Sequence, residues 1–322
     1  MVDHNAIADL IALEAELGKR SLHDYLAAMW PTIEPSTPFV DGWHLGAICD
    51  HEQAVFTGEI KKLIINICPR SGKSICTSVA LPTWGWTRQP QTRFLFSSYS
   101  SDLSLEFATT ARRVIESSWY QTRWDVQLSG DQNNKAFYAN TASGYRISTS
   151  VGGSATGKGG DILIVDDPHN LKTIHSDTIR TEDVRWFFKV WSSRINNKKF
   201  DRQIVIMQRG HEDDLTHALL EQGDWTILKL PTEYVPTTWV SPLGWKDPRT
   251  EEGALLNAER IGPQEVNTIK RELGPVDWSC QHSQHPVPEK GGLFERSWFE
   301  IVDRPPEDVI TRVRFWDAAG SE

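Results

Sequence analysis

The chain has 322 residues, 39% of them hydrophobic and 24% charged, a length for one large domain or two smaller ones and a balance that excludes wholesale disorder. A net charge of -9 disfavours a protein that coats nucleic acid by overall charge, although a local basic groove is compatible with it. No apolar run approaches the ~18 residues of a membrane helix, and four cysteines without CxxC spacing suit a reducing compartment, so a soluble, cytosolic-type protein is expected.

The N-terminus carries Asp3, Asp9, Glu14 and Glu16 with no basic lead-in, unlike a signal peptide. Apolar positions at Ile7, Leu10, Ile11 and Leu17, then Leu22, Tyr25, Leu26 and Met29, predict one or two helices over 5–30. Pro31, Pro35 and Pro38 break that pattern and deliver an extended segment to Gly42 and Trp43. Short apolar runs at 62–68, 92–98, 161–166, 202–208 and 225–230 read as buried strands, with helix-length stretches at 73–81, 101–117, 177–195 and 212–222. That alternation predicts an α/β protein with a mostly parallel, doubly wound sheet covered on both faces. Residues 231–250 read as a loop or linker, 254–275 as a further helix, 286–292 as a second linker and 311–317 as a last strand. The 14 Trp are about three times ordinary usage (~1.3%), and most adjoin apolar neighbours, as in Trp84-Gly85-Trp86, so core packing is expected of them.

Residues 62–74 read as a buried strand, a tight loop and Gly72-Lys73-Ser74 opening a helix. Backbone N–H groups at such a loop point at phosphates, where the helix dipole favours anions. Lys73 would reach the β- and γ-phosphates of a nucleotide and the Ser74 hydroxyl would ligate Mg²⁺. The Walker A pattern G-x-x-x-x-G-K-[ST] wants Gly at position 67; this chain has Ile67 and enters the loop through Pro69 and Arg70. The matching Walker B element is Ile162-Leu163-Ile164-Val165 ending in Asp166 and Asp167, 93 residues beyond Lys73, with room for one further strand between them. Asp166 is expected to hold Mg²⁺ through water. In additional-strand ATPases the next residue is usually a Glu that polarises the attacking water. Here Asp167 is one methylene shorter, so either the water is held differently or another carboxylate assists.

The strand at 202–208 ends on Gln208, at the edge of the sheet where ligands bind, placed to feel the γ-phosphate and pass its loss to Gly210–Leu215. That acidic run reads as a helix N-terminus. It is no H-E-x-x-H metal site, since Leu215 stands where the second His belongs. Cys280, His282 and His285 lack a partner Cys pair, which argues against zinc. Asn196-Asn197-Lys198-Lys199 is not the guanine-reading N-K-x-D.

Taken in order, Gly42–Leu45, Leu63–Ser74, Ser97–Leu103, Gly157–Pro168, Ile206–Leu215, Gly291–Phe294 and Phe315–Ala319 resemble the large subunit of the tailed-bacteriophage and prophage DNA-packaging terminase, from about residue 20 to the end. The resemblance implies an additional-strand, RecA-like P-loop NTPase with N-terminal helices and a C-terminal linker or subdomain. Its parts would be an N-terminal helical segment over 1–41, an ATPase core over 42–235, a linker or lid over 236–290 and the start of an RNase H-like nuclease over 291–322. It implies an ATP-hydrolysing motor that translocates double-stranded DNA into a procapsid in the host cytoplasm. Its partners would be a portal protein and a terminase small subunit, and its assembly a homo-oligomeric ring, a pentamer. Pro69, Arg70, Ser71, Gly72, Lys73 and Ser74 would hold the triphosphate, Asp166 would organise Mg²⁺, and Asp167 would stand at the family's catalytic carboxylate. Gln208 would lie in the coupling motif and Trp43 and His44 on the adenine side.

The family's trans-acting Arg-Gly stands just ahead of the Mg²⁺ acid, where this chain reads Thr156-Gly157-Lys158. Lys158, Arg112, Arg113 and Arg194 are the candidates for that cation. Lys61, Lys62, Lys198, Lys199 and Arg202 are candidate DNA phosphate contacts. Asp317 resembles the first metal acid of the nuclease, but one acid cannot assemble a two-Mg²⁺ site. DNA cleavage is therefore expected only of a longer chain. The alternatives are a superfamily 2-type helicase or remodelling ATPase, and a catalytically inactive packaging scaffold.

Overall fold

The computed structural model describes residues 4–130, 134–153, 157–200 and 202–287. The expected linker beyond 287, the strand at 311–317, the matches at Gly291–Phe294 and Phe315–Ala319, and Asp317 lie outside the described residues.

Two helices, α1 (His4–Arg20) and α2 (Leu22–Ile33), meet at Ser21, whose side chain accepts the Asp24 N–H and caps α2. Helix α3 (Trp43–Thr57) is followed by strand β1 (Lys62–Ile67). A loop then leads into α4 (Lys73–Ile75), a π-turn over Cys76–Ala80 and α5 (Leu81–Arg88). Next come β2 (Arg93–Ser98), α6 (Ser101–Glu116), α7 (Ser118–Gln121), β3 (Phe137–Ala139), β4 (Tyr145–Ser150) and β5 (Ile162–Asp166). Helix α8 (Asp177–Trp186) runs into a second π-turn, Phe187–Trp191, before β6 (Gln203–Met207), α9 (Leu215–Gln222), β7 (Thr226–Leu230) and α10 (Pro263–Gln281).

The seven strands form one sheet in the order β3-β4-β2-β5-β6-β1-β7. Every neighbouring pair is parallel except β3 with β4. Alternation along each strand divides the core between the two faces. Leu63, Ile65 and Ile67 of β1 and Ile162 and Ile164 of β5 pack under α2, α3, α5 and α6. Ile64, Leu163, Val165 and Val205 meet Trp186, Phe187, Trp191 and Leu219 on the other face. Burial on both faces is why these strands read as unbroken apolar runs, each such side chain contributing about 1.5–3 kcal/mol. The tryptophans follow suit: buried Trp84 donates its Nε1–H to the Gly18 carbonyl at 2.9 Å, tying α5 to α1.

Several elements differ from the sequence reading. Three strands, not one, lie between the phosphate loop and the acidic pair, because β3 and β4 form a short hairpin on the free edge of β2. Gly144 lets that hairpin close against the chain: a Cβ there would stand 2.0 Å from the Pro90 carbonyl oxygen. The helix at 73–81 continues to Arg88, Pro82 entering in the first turn of α5 after the π-turn. The helix expected from 212 starts at Leu215, with Asp214 as its N-cap. The helix expected over 254–275 instead starts at Pro263 after extended Gly262 and reaches Gln281, breaking at Gly274-Pro275. Among the described residues no helix is long and apolar enough to cross a membrane.

Candidate nucleotide site

In a parallel sheet all C-terminal strand ends share one edge, and β6 stands between β1 and β5. The loops after β1, β5 and β6 therefore converge there. Ile67 closes β1 with its side chain fully buried in the core, so the loop's turn is made further on. Arg70 takes φ +62° and Gly72 φ +85°, and a Cβ on Gly72 would stand 3.2 Å from Leu45 Cδ2. The left-handed positions have thus moved away from 67, where the usual pattern places a glycine. Ser71 Oγ fastens the loop by donating to the Cys68 carbonyl at 2.8 Å. Pro69 and Arg70 lie at the mouth, Arg70 exposed.

Opposite, Asp167 takes φ +46° just beyond β5, a conformation that Asp tolerates better than most residues. The turn swings its carboxylate toward the loop: Lys73 Nζ donates to Asp167 Oδ1 at 2.8 Å, with Lys73 buried. The Gln208 backbone N–H donates to the same oxygen at 3.2 Å, so the residue that follows β6 is bonded to Asp167 directly. The Gln208 side-chain Oε1 is buried without a hydrogen-bond partner among the described residues. Asp166 is held by two hydroxyls, Ser74 Oγ to Oδ1 at 3.0 Å and Ser78 Oγ to Oδ2 at 2.9 Å. Burial, and then the neighbouring Asp167 charge, push its pKa up to about 6, against the pull of Lys73 and the two serines. A buried carboxylate beside a hydroxyl is a hard-oxygen pair that suits Mg²⁺, which takes few protein ligands and fills its sphere with water and phosphate oxygens.

Two cavities open on this edge. One, of about 340 Å³, is lined by Pro69–Ile75, Phe107 and Asp167. Among its described lining residues Asp167 is the one carboxylate. The other, of about 310 Å³, has apolar walls from Leu26, Trp30, Phe39 and Leu45, and it shares Ser71, Gly72 and Ile75 with the first. The two cavities thus adjoin, one lined by the loop and the other walled by apolar side chains. His44 lines the second cavity. Its Nε2 lies 3.2 Å from the Ser71 carbonyl oxygen, which can only accept, so Nε2 carries the proton and Nδ1 is bare. Burial chiefly, with the Arg260 and Arg249 charges, lowers its pKa to about 4, leaving the ring neutral at pH 7. Trp43 stands apart from the cavity lining, stacked on Trp245 at 6.1 Å and under the Arg249 guanidinium at 5.0 Å.

Asn257 and Arg260 also line the second cavity, and sequence reasoning missed both. They arrive on the segment between β7 and α10, which buried Arg249 fixes by binding Asp247 through two nitrogens and the Pro231 and Ala254 carbonyls. Glu52 and Arg146 were missed likewise, since only tertiary packing brings them beneath the phosphate-loop helix. Thr77 of the π-turn donates to Glu52, whose pKa burial raises to about 8.

The candidate trans-acting cations lie outside both cavity linings: Lys158 sits over the Phe137 ring at 3.5 Å, Arg112 pairs with Glu116 at 2.8 Å, Arg113 donates to Thr110, and Arg194 is half-buried. Of the candidate DNA contacts, Lys62 pairs with Asp224 at 2.7 Å and Arg202 donates to the Phe56 carbonyl at 2.7 Å, while Lys61, Lys198 and Lys199 are exposed. Lys62 opens β1 and Arg202 precedes β6, placing both at the sheet edge opposite the nucleotide cavities. His282 is occupied by Thr232 at 3.0 Å and by stacking on Trp278. Among the described residues no group of three or more His, Cys, Asp or Glu forms a metal cluster.

A family model described as terminase large subunit, T4likevirus-type, N-terminal, matches residues 64–301. Among solved structures the chain is similar to the large terminase of a thermophilic bacteriophage in complex with ADP, at 10% identity and TM-score 0.41 over 72% of this chain and 52% of that one. It is similar to the HK97 bacteriophage large terminase at 12% identity and TM-score 0.48, over 78% of this chain and 52% of that one. A mutant of the Thermus phage P74-26 large terminase ATPase domain matches at 12% identity and TM-score 0.43, over 73% of this chain and 93% of that one. The chain thus spans about half the length of the first two of these proteins. A comparison with curated proteins finds no match.

Proposed function

The chain belongs to the family of terminase large subunits, T4likevirus-type, N-terminal, and from that membership we propose that it carries the ATP-hydrolysing motor of viral DNA packaging. The observation that supports this most is the bridging of the loop after β1 to the acids after β5, through Lys73–Asp167 at 2.8 Å and Ser74–Asp166 at 3.0 Å. The triphosphate would lie in the mouth between Arg70 and Asp167, with the base between His44, Asn257 and the apolar walls. Ser74 and Asp166 would hold Mg²⁺, Asp166 through water, and the ion would neutralise charge on the β- and γ-phosphates.

The Lys73–Asp167 pairing suggests the order of events. Lys73 turns from Asp167 to the γ-phosphate, and the freed carboxylate faces the water that attacks phosphorus. As the new P–O bond forms and the bond to the β–γ bridging oxygen breaks, Asp167 takes the water's proton and ADP leaves. When phosphate departs, Lys73 returns to Asp167, and the Gln208 N–H on the same oxygen carries that change into β6 and α9. Duplex DNA would be the cargo, portal protein and small subunit the partners, a pentameric ring the working assembly and the host cytoplasm the place. Residues 1–41 would be the N-terminal helical segment, 42–235 the ATPase core, 236–290 a linker or lid and 291–322 the first strand region of an RNase H-like nuclease.

Phosphate release at saturating Mg-ATP, with and without linear duplex, tests the motor reading. Stimulation by duplex that fades steeply as salt rises is expected. Hydrolysis indifferent to duplex at every salt concentration would contradict it.

A further inference from the structure

Ser78 lies four residues beyond Ser74, so the two hydroxyls share one face of the phosphate-loop helix. Each takes one oxygen of the same carboxylate, at 3.0 Å for Ser74 and 2.9 Å for Ser78. Ser78 belongs to the π-turn Cys76–Ala80, a local widening that recurs at functional sites. The turn is pinned from two sides. Thr77 binds Glu52 of α3 and the Lys73 carbonyl, and the Ser78 carbonyl accepts Arg146 Nη1 at 2.5 Å.

Arg146 is the unusual member. It sits on β4 at 1% exposure, its guanidinium over the Phe96 ring at 3.6 Å. Its Nε and Nη2 are buried without a hydrogen-bond partner among the described residues. Sinking a cation so deep on one hydrogen bond costs several kcal/mol unless a charge compensates. Burial brings the Arg146 pKa down to about 10, opposed by Tyr138 and then by the Asp166 carboxylate, so it is still a cation at pH 7 and Asp166 is the negative charge that compensates it. Charge and geometry therefore run in one line: Arg146 to the Ser78 carbonyl, Ser78 Oγ to Asp166 Oδ2, Asp166 Oδ1 to Ser74.

We infer that Ser78 is a second hydroxyl clamp on Asp166 and that Arg146 holds this clamp from behind, together fixing the carboxylate so that Oδ1 and the Ser74 hydroxyl face a divalent cation. Both are positioning residues, since neither lines the nucleotide cavities. The inference rests on the nucleotide-site reading above. A carboxylate with Oδ2 anchored loses no rotational freedom when the cation arrives, whereas one held by Ser74 alone must be oriented at that moment.

The test is a Mg²⁺ titration of fluorescent ADP binding to the full chain, repeated in EDTA, for wild type, Ser78→Ala, Arg146→Met and Arg146→Lys, with melting midpoints recorded. Ser78→Ala is expected to raise half-saturating Mg²⁺ about tenfold while leaving EDTA-state ADP affinity unchanged, with a cooperative melt showing that the variant is folded. Arg146→Met should move Mg²⁺ the same way, and Arg146→Lys, which keeps a charge and one donor, by less. Unchanged Mg²⁺ dependence in Ser78→Ala overturns the inference, as does weakening of equal size with and without the metal. If Arg146→Met does not fold, Ser78→Ala decides alone. Wild type that binds no ADP in either condition overturns the nucleotide site itself, and the clamp with it.

Discussion

Glu52 carries the residue-scale consequence that is easiest to check. It is fully buried, and burial, helped by the Asp166 charge and opposed by its Thr77 bond, raises its pKa from 4.5 to about 8. The folded chain therefore keeps a proton that the unfolded chain releases. Stability from this group is complete below the unfolded pKa and is lost as pH rises through the folded one. Glu52→Gln cannot ionise, so between about pH 5 and pH 9 the wild type should lose on the order of 2–5 kcal/mol relative to the variant. Urea midpoints measured at both ends check this; parallel curves for the two proteins would contradict it. At this scale Lys73, Ser74, Asp166 and Asp167 were legible because each sits at a fixed offset from a strand end. Ser78, Arg146, Glu52, Asn257 and Arg260 were not, because each acts through a partner far away in the chain, as Arg146 does 68 residues from Ser78.

Elements buried on two faces are the ones the chain announces. β1, β2, β5 and β6 read as apolar runs because neither face of the sheet meets water. β3 and β4 escaped that reading. They form the free edge, β3 has three residues, and β4 carries Arg146 and Ser148 inward. Residues 231–250 read as a loop and are one, and the loop runs on to Gly262 where a helix was expected from 254. It is ordered by side chains, as Arg249, 8% exposed, gathers Asp247, the Pro231 and Ala254 carbonyls and the rings of Trp43 and Tyr234. Arg249→Ala would leave those groups unpaired, and a loss of about 2–4 kcal/mol is expected by urea unfolding. Because Asn257 and Arg260 ride on the same segment, fluorescent ADP should also bind more weakly to the folded variant. Wild-type ADP affinity in Arg249→Ala would separate this segment from the base cavity.

Across the whole molecule, strand order decides what can meet. With β6 between β1 and β5, the phosphate loop and the acidic pair face each other at a distance that one lysine and one serine span, and Gln208 arrives from the strand between them. Ile67 departs from the Walker pattern without disturbing this, since Arg70 and Gly72 make the turn. Asp167 departs from the usual Glu, yet its left-handed backbone brings the shorter carboxylate to Lys73 and to the mouth of the phosphate cavity. The proposed motor needs this arrangement to hydrolyse ATP, which an inert scaffold would not do. The direct measurement is the initial rate of phosphate release from Mg-ATP by wild type, Lys73→Ala and Asp167→Asn, with fluorescent ADP binding followed in parallel. Wild type should hydrolyse ATP, Asp167→Asn should bind nucleotide but turn over about 10²–10⁴-fold more slowly, and Lys73→Ala should lose both. Hydrolysis at the wild-type rate in either variant, or nucleotide binding without any hydrolysis by the wild type on duplex DNA, would contradict the assignment.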